Sequence, residues 1–326
     1  MTASPTAVDR RVAVLIVNYN SGEMLGRCLE ALSRQSWHDF DIVVVDNASN
    51  DGSADGIEAR YSNLLLVRAQ ANLGFAAGNN LALKHVRGAR WIALLNPDAF
   101  PEPDWLERLV AAAVAKPEYS FFGSRMLLAG DTRLLDGTGD AYHVSGASWR
   151  RDHGRPAERG MNEPGEIFGP CAAAALYSRS ALMEVGGFDE TYYCYHEDVD
   201  LAFRLRLRRH RCWYAADAVV RHVGSGITGR RSDFATYHGQ RNLVWTYVKD
   251  MPGALFWLFL PLHLLFNLAS IAVCGVRGQL RVILRAKRDA LLGVGAALRQ
   301  RRAIQSRRTV KLGSLLVLME WRLIRR

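Results

Sequence analysis

The feature that most limits how this chain can fold is a pattern repeated along its first hundred residues. Short uninterrupted apolar runs alternate with polar loops and amphipathic stretches. "VAVLIV" (12–17) stops at "NYNSG" and is followed by Met24, Leu25, Cys28, Leu29 and Leu32 at helical spacing. "DIVVVDNASNDGS" (41–53) repeats that ending. "NLLLVRA" (63–69) runs into "NLGFAAGNNLALKHV" (72–86), and "WIALLNPDAF" (91–100) closes the series. Apolar runs bounded by turn formers read as strands, and the periodic segments after them as helices. Strands without polar alternation are buried on both faces, which predicts a mostly parallel sheet covered by helices on each side. In such sheets ligands bind in the crevice beyond the carboxyl ends of the strands. Asn18–Asn20, Asp46–Ser49 and Asn96–Asp98 all fall at those ends, so polar residues converge on one rim.

The rest of the chain is less regular. Residues 130–168, rich in Gly, Asp and Arg, read as a long connection and a candidate mobile substrate loop. "GPCAAAALYSRSALMEVGGF" (169–188) resumes strand and helix. The 26 residues from Met251 to Val276 carry no charge, a length that can span a bilayer. From Arg277 onward, 14 Lys and Arg face 2 Asp and Glu, so the tail is +12 and the remainder −2 within a total of +10. In this tail basic residues alternate with aliphatic ones, as in helices that lie at a membrane interface. A single span would put the basic tail outside, against the positive-inside rule, and Pro261, His263 and Asn267 interrupt the apolar run. We therefore expect a kinked interfacial or re-entrant segment, and a division into 1–250 and 251–326. A buried helical pair closing a soluble core, alone or in a homodimer, accounts for the same pattern. The five cysteines include no CxxC pair and the first residues, "MTASPTAVDRR", lack the apolar stretch of a secretory signal, as expected of a protein kept in a reducing compartment.

Several polar clusters carry two readings each. In "YHEDVDLAFRLRLRRH" (195–210), Glu197, Asp198 and Asp200 either complement the dipole of a helix start or form a tuned carboxylate group beside a cleft. "LLNPDAF" (94–100) is either a turn or a carboxylate at a strand end that holds Mg²⁺ against phosphates. Asp46 is either a loop residue or an acceptor for a base or ribose. "NLGFAAGNN" (72–80) either lets backbone approach a ligand or packs a helix closely. His222 in "VVRHVGSG" is either structural or a metal ligand. The chain has no GxGxxG fingerprint at these loops and no GxxxxGK[ST], and Ser225 sits in G-S-G rather than a GxSxG elbow.

Taken in order, the motifs form a recognisable series. "VLIVNYNSGEMLGRCLEAL", "IVVVDNASNDGS", "NLGFAAGNN", "LLNPDAFPEPDWL", "GGFDETYYCYHEDVDLAFRL" and "RHVGSG" together resemble the inverting family-2 glycosyltransferases, in the branch that contains bacterial rhamnosyltransferases. The resemblance covers about residues 11–250. It implies a GT-A fold, the Rossmann-like α/β fold of nucleotide-diphospho-sugar transferases, here followed by a helical, membrane-associating region. It also implies a nucleotide-sugar donor and a divalent cation, Mg²⁺ or Mn²⁺. Residue by residue, Asp46 would bind the nucleoside, in a pocket shaped by Asn18, Tyr19 and Asn20. Asn47, Asn72, Gly74 and Asn79 would border the nucleotide and its diphosphate. Asp98 matches the last carboxylate of the family's Asp-x-Asp metal motif, whose first position is here Asn96, and His222 matches the histidine that completes the metal site. Asp198 matches the catalytic base, with Glu197 and Asp200 as neighbours that position the acceptor and tune charge.

The resemblance further implies transfer of L-rhamnose from dTDP-rhamnose onto a glycan or polyprenyl-diphosphate-linked acceptor. Nucleotide sugars are cytosolic, which places the enzyme at the cytoplasmic face of a bacterial inner membrane, against its anionic surface. The alternatives are a UDP-sugar donor (galactofuranose, N-acetylglucosamine or glucose), a catalytically silent scaffold suggested by Asn96, and a nucleic-acid-binding protein. The aliphatic residues between the tail's charges suit lipid better than nucleic acid.

Overall fold

The computed structural model describes residues 11–224 and 232–322 of the 326-residue chain. Ser225 and the amino-terminal ten residues lie outside the described residues. Four strands, β1 (Val12–Asn18), β2 (Phe40–Asp46), β3 (Leu64–Arg68) and β4 (Trp91–Leu95), form a parallel half-sheet in the order β4-β1-β2-β3. Register sets Asn18 directly beside Asp46. Alternate residues of β1 enter two different cores. Val12, Val14 and Ile16 pack with helices α1 (Met24–Ser33) and α3 (Trp105–Ala115). Ala13 and Leu15 pack on the other face with α2 (Gly74–Lys84). The unbroken apolar runs are thus explained: each strand of this half is covered on both sides.

The other half of the sheet is mixed. Its strands are β5 (Ala99–Pro101), β6 (Phe121–Leu128), β7 (Asp131–Gly137), β10 (Gly165–Ile167), β11 (Ala174–Ser178) and β12 (Cys212–His222). Among the described residues the full order is β10-β12-β6-β11-β4-β1-β2-β3, with β5 on β12 and β7 on β6. β11 runs antiparallel to both β4 and β6, so a mostly parallel sheet is found only in the first half. An apolar strand buried on both faces reads the same in either direction, which is why the pattern did not betray the reversal. The reversal matters for the site. It brings the amino end of β11 to the rim, where Asn96 N–H donates to Ala173 O at 2.9 Å. β12 ends at the same rim and delivers His222 opposite Ala99.

Residues 130–168 are not a loose connection. β7 pairs with β6, β10 pairs with β12, and β8 (Asp140–Tyr142) forms an antiparallel hairpin with β9 (Ser148–Arg150). The signal was present as "DAYHVSGASWR", two short runs around a Gly turn, but its strands are too short to show a period. Gly146 at that turn has φ +87°, and a Cβ there would meet His263 Nδ1 at 2.8 Å.

Past α4 (Arg179–Glu184) and α5 (Glu197–Leu207), the chain ends in α6 (Asp233–Asp250), α7 (Gly253–Val276), α8 (Leu280–Ser306) and α9 (Leu312–Leu318). α7 is one continuous helix that includes Pro261, and among the described residues it is the helix long and apolar enough to cross a membrane. One face of it packs on the body. Leu255 and Phe259 join the core, His263 Nδ1–H donates to Ser145 O at 2.8 Å, and the His263 ring stacks on Tyr247. Trp257, Leu258, Leu264, Leu265 and Leu268 stay exposed. α8 buries Ile283, Ala286, Ala290 and Ala297 at helical spacing, and the Trp245 indole of α6 donates to Ala290 O. The end of the chain returns to the hairpin. Leu315 and Met319 share a core cluster with Tyr142, and Glu320 N–H donates to Tyr142 O at 2.8 Å.

Candidate active site

A cleft of about 580 Å³ opens along the rim. One end is built by the loops after β1 and β2. The Asn18 amide is fully buried and donates to Asp46 Oδ1 at 3.1 Å and to the hydroxyls of Ser49 and Ser53. Asn18 therefore locks the two loops together, while Tyr19 lines the cleft. Asp46 is buried at the rim, with Oδ2 3.6 Å from Arg68. Asn47 lines the cleft, and its side chain ties Asn72 Oδ1, Gly74 O and Leu73 N–H into one turn. Gly74 has φ +81°, and a Cβ there would sit 2.5 Å from Tyr193 O. Only glycine permits that approach, so the Gly in "NLGFAAGNN" is a close-contact residue. Four expected wall residues do not line the cleft: Asn18 and Asp46, which are bonded to each other just behind it, and Asn20 and Asn79. Asn20, at φ +46°, accepts from Asn50 N–H and ties its own loop. Asn79 is buried inside α2 and donates to Phe75 O.

At the middle of the cleft Asn96, Asp98 and His222 meet. His222 Nε2 lies 3.2 Å from Asp98 Oδ1. Both His222 Nε2 and Asn96 Oδ1 are buried without a hydrogen-bond partner. A buried acceptor left open, as Asn96 Oδ1 is, is costly, and a cation would satisfy it. The set of two oxygens and one imidazole nitrogen thus fits a divalent ion, and the Asn at the first motif position keeps its ligand oxygen. Behind His222 is Asp136, which sequence reasoning missed. His222 Nδ1–H donates to Asp136 Oδ2 at 2.7 Å, and Arg150 and His153 also pair with Asp136. Burial opposes charge on His222, but Asp136 and Asp98 on either side outweigh it and push the imidazole up to about 9. Asp136 is held well below the usual carboxylate range: burial works against this, and His153, His222 and Arg150 overcome it.

The aromatic segment before α5 closes the cleft. Tyr193, Tyr195 and His196 all have φ between +64° and +68°. Asn242 of α6 holds this strained backbone by donating to the carbonyls of Tyr192, Cys194 and Tyr195. The three acids that follow separate in role. Asp198 lines the cleft and also a second cavity of about 500 Å³, so it stands at their junction. Burial raises its carboxyl, against the opposing N–H groups of Ala172 and Val199. Glu197 lines the cleft with Oε2 unpartnered, and burial followed by the charge of Asp198 raises it well above the ordinary range. Asp200 lines neither cavity and is fully buried. It pairs with Arg204 at 2.7 Å and Lys249 at 2.5 Å, and Lys249 also pairs with Asp189. Burial opposes its ionisation, yet the two cations hold it at about 2. The reading of Asp200 as a neighbour of the reaction is therefore corrected: it fastens α5 to α6. Replacing Asp200 by Ala leaves two buried cations short of a partner and should destabilise the protein by about 3–5 kcal/mol, measured by urea unfolding.

The second cavity is lined by Asp136, Asp140, Ser148, Trp149, Arg150, His153 and Asp198 among others. Of the seven named, six come from 130–153, whose strands are short and mixed in polarity. Asp140, Cys171 and Asp198 offer ligand atoms within 4.8 Å of one another.

A Rossmann-like sheet with a metal-suited set at its rim and a buried carboxylate between two cavities defines a sugar-nucleotide transferase architecture. Residues 13–186 match the glycosyl transferase family 2 domain, and the chain belongs to that family. It is therefore an inverting glycosyltransferase. It is 30% identical to the N-acetylglucosaminyl-diphospho-decaprenol L-rhamnosyltransferase of Mycobacterium tuberculosis, over 69% of this chain and 80% of that one. Solved structures share the fold. GalNAc-T7 with UDP, GalNAc and Mn²⁺ superposes with TM-score 0.59 at 15% identity, over 73% of this chain and 48% of that one, about half its length. The mannosyltransferase PcManGT of Pyrobaculum calidifontis, in complex with GDP-Man and Mn²⁺, gives 0.54 at 18% identity, over 90% and 84%.

Proposed function

We propose that the protein transfers L-rhamnose from dTDP-rhamnose, with inversion, to the sugar of a polyprenyl-diphosphate-linked acceptor at the cytoplasmic face of a bacterial inner membrane. The observation that carries this reading is the position of Asp198, on the wall shared by a nucleotide-sized cleft and a second cavity. The relationship to the mycobacterial rhamnosyltransferase supports the choice of donor and acceptor.

The donor lies in the cleft, its nucleoside toward Asp46 and the Asn18–Tyr19 loop, and its diphosphate toward Asn96 and Asp98. A divalent cation held by Asn96, Asp98 and His222 supplies charge neutralisation for the leaving diphosphate. Asp136 holds the Nδ1–H of His222, so Nε2 is the nitrogen that would face the ion, in place of the proton it shares with Asp98 when no ion is bound. The acceptor hydroxyl enters from the second cavity. Asp198 takes its proton, the hydroxyl oxygen bonds to the anomeric carbon, and the bond from that carbon to the diphosphate breaks on the opposite face, with the electron pair leaving on phosphate. One displacement inverts the anomeric centre. Burial raises the Asp198 carboxyl above the ordinary aspartate range, which makes it a stronger base for this task.

Placement at a membrane is supported by the surface of the tail. Trp257, Leu265, Val276, Leu291 and Leu292 are exposed, and Arg281, Arg285, Arg288 and Arg302 lie on the same helical pair. Each basic residue near an anionic leaflet adds about 1 kcal/mol of attraction. The test is a single assay with anionic liposomes that carry N-acetylglucosaminyl-diphospho-polyprenol. The protein should sediment with them and, with Mn²⁺ or Mg²⁺, glycosylate the lipid from dTDP-rhamnose. Use of a UDP-sugar or GDP-mannose instead would overturn the donor. Protein that stays in the supernatant would overturn the membrane placement.

A further inference from the structure

Asp140 opens β8 on the wall of the second cavity. It is 8% exposed, and among the described residues its carboxylate receives no hydrogen bond, although its backbone N–H is bound to Gly169 O at 2.8 Å. The charge of Arg150, on the same wall, offsets part of the cost of burying this carboxyl group, and the cavity is the direction from which a hydrogen-bond partner can come. Its oxygens lie within 4.8 Å of those of Asp198. Two carboxyl groups so spaced can each reach one of two neighbouring hydroxyls on a sugar ring by a hydrogen bond of ordinary length. Trp149, from the facing strand of the same hairpin, adds an indole to this wall, a surface suited to the C–H face of such a ring.

We propose that Asp140 is a positioning residue for the acceptor: it hydrogen-bonds the hydroxyl next to the one that Asp198 deprotonates, so the cavity selects a sugar with two adjacent free hydroxyls. This rests on the transferase reading above and assigns a specificity element within it. Burial, and then the charge of Asp198, hold the Asp140 carboxyl well above the ordinary range. Burial raises the Asp198 carboxyl as well, against the N–H groups of Ala172 and Val199. A protonated Asp140 both donates to and accepts from the neighbouring hydroxyl, and an amide at the same place can do likewise.

The test reads acceptor binding without any donor, so its result does not depend on which nucleotide sugar the enzyme uses. N-acetylglucosaminyl-diphospho-farnesol and its monodeoxy analogues are titrated by saturation-transfer NMR against the full chain in detergent. The proteins compared are wild type, Asp140→Ala and Asp140→Asn, each checked for an unchanged melting temperature. Asp140→Ala should weaken the parent lipid by about tenfold, the worth of one hydrogen bond. One deoxy analogue should bind wild type and Asp140→Ala equally, and Asp140→Asn should stay within about threefold of wild type for the parent. Equal weakening of every analogue by Asp140→Ala, no weakening of any, or failure of all the lipids to bind wild type would each overturn the proposal. Transfer from dTDP-rhamnose, run in parallel, reports separately on the donor.

Discussion

Asp198→Asn should lower kcat by about 10²- to 10⁴-fold while leaving donor binding unchanged, the range that a positioned general base contributes. The substitution keeps the shape of the side chain; the N–H groups of Ala172 and Val199 bond different oxygens of Asp198, so the amide keeps one of these two bonds. What is lost is the acceptor for the proton. Donor affinity, read by thermal shift, isolates that loss, because the residues proposed for the nucleoside and diphosphate lie on the β1, β2 and β4 loops rather than on α5. The pH profile is a second readout. The base works only when ionised, and burial raises its folded-state pKa above the ordinary Asp value. The acid limb of kcat/KM should therefore fall off at a higher pH than an exposed aspartate would give, and in Asp198→Asn that limb should vanish. A variant that retains wild-type kcat would remove Asp198 from the role of base.

Asp98→Ala should weaken Mn²⁺ affinity by at least about 100-fold, since even partners one shell further out cost 10- to 100-fold. The site contributes few charges to the ion. Asn96 stands where the family has a carboxylate, so Asp98 is the anionic ligand of the set formed with Asn96 and His222. In Asp98→Ala, metal-dependent donor stabilisation should disappear, whereas the fold should hold, because Asp98 faces the cleft. Mn²⁺ titration followed by electron paramagnetic resonance, without donor, measures the ion directly. Unchanged affinity would shift the ion elsewhere, and Asp140, Cys171 and Asp198 are then the alternative cluster among the described residues.

Much of the donor side of this site is legible in the sequence, for a physical reason. Strands that end at one rim place their terminal residues together whatever the rest of the fold does, so Asn18, Asp46, Asn96 and Asp98 can be grouped from four apolar runs. His222 joins them because it, too, ends a strand. The acceptor side is far less legible. Asp136, Asp140, Trp149 and Arg150 sit on strands of three to seven residues, too short for a periodicity to mark them. The acids of "HEDVD" show the limit of reading charge alone. Glu197 and Asp198 face the cleft, but Asp200 turns inward to Arg204 and Lys249, and only the packing of α5 against α6 decides that. Helical phase separates positions two apart onto different faces, a cue available in principle. The tail is legible as apolar and basic helices. That α7 packs its Leu255, Phe259 and His263 stripe onto the body, and that Glu320 returns to bond with the hairpin carrying Trp149, follows from contacts that no local pattern encodes.

The account's central claim is a single displacement in which Asp198 activates an acceptor hydroxyl from the second cavity. The most direct measurement is the anomeric configuration of the product. Purified enzyme, divalent cation, dTDP-rhamnose and N-acetylglucosaminyl-diphospho-farnesol are incubated, and the one-bond C–H coupling at the new anomeric centre is read by NMR. A linkage of opposite configuration to the donor is the result the account predicts. A linkage that retains the donor's configuration would require a covalent intermediate or a front-face path, and would contradict it.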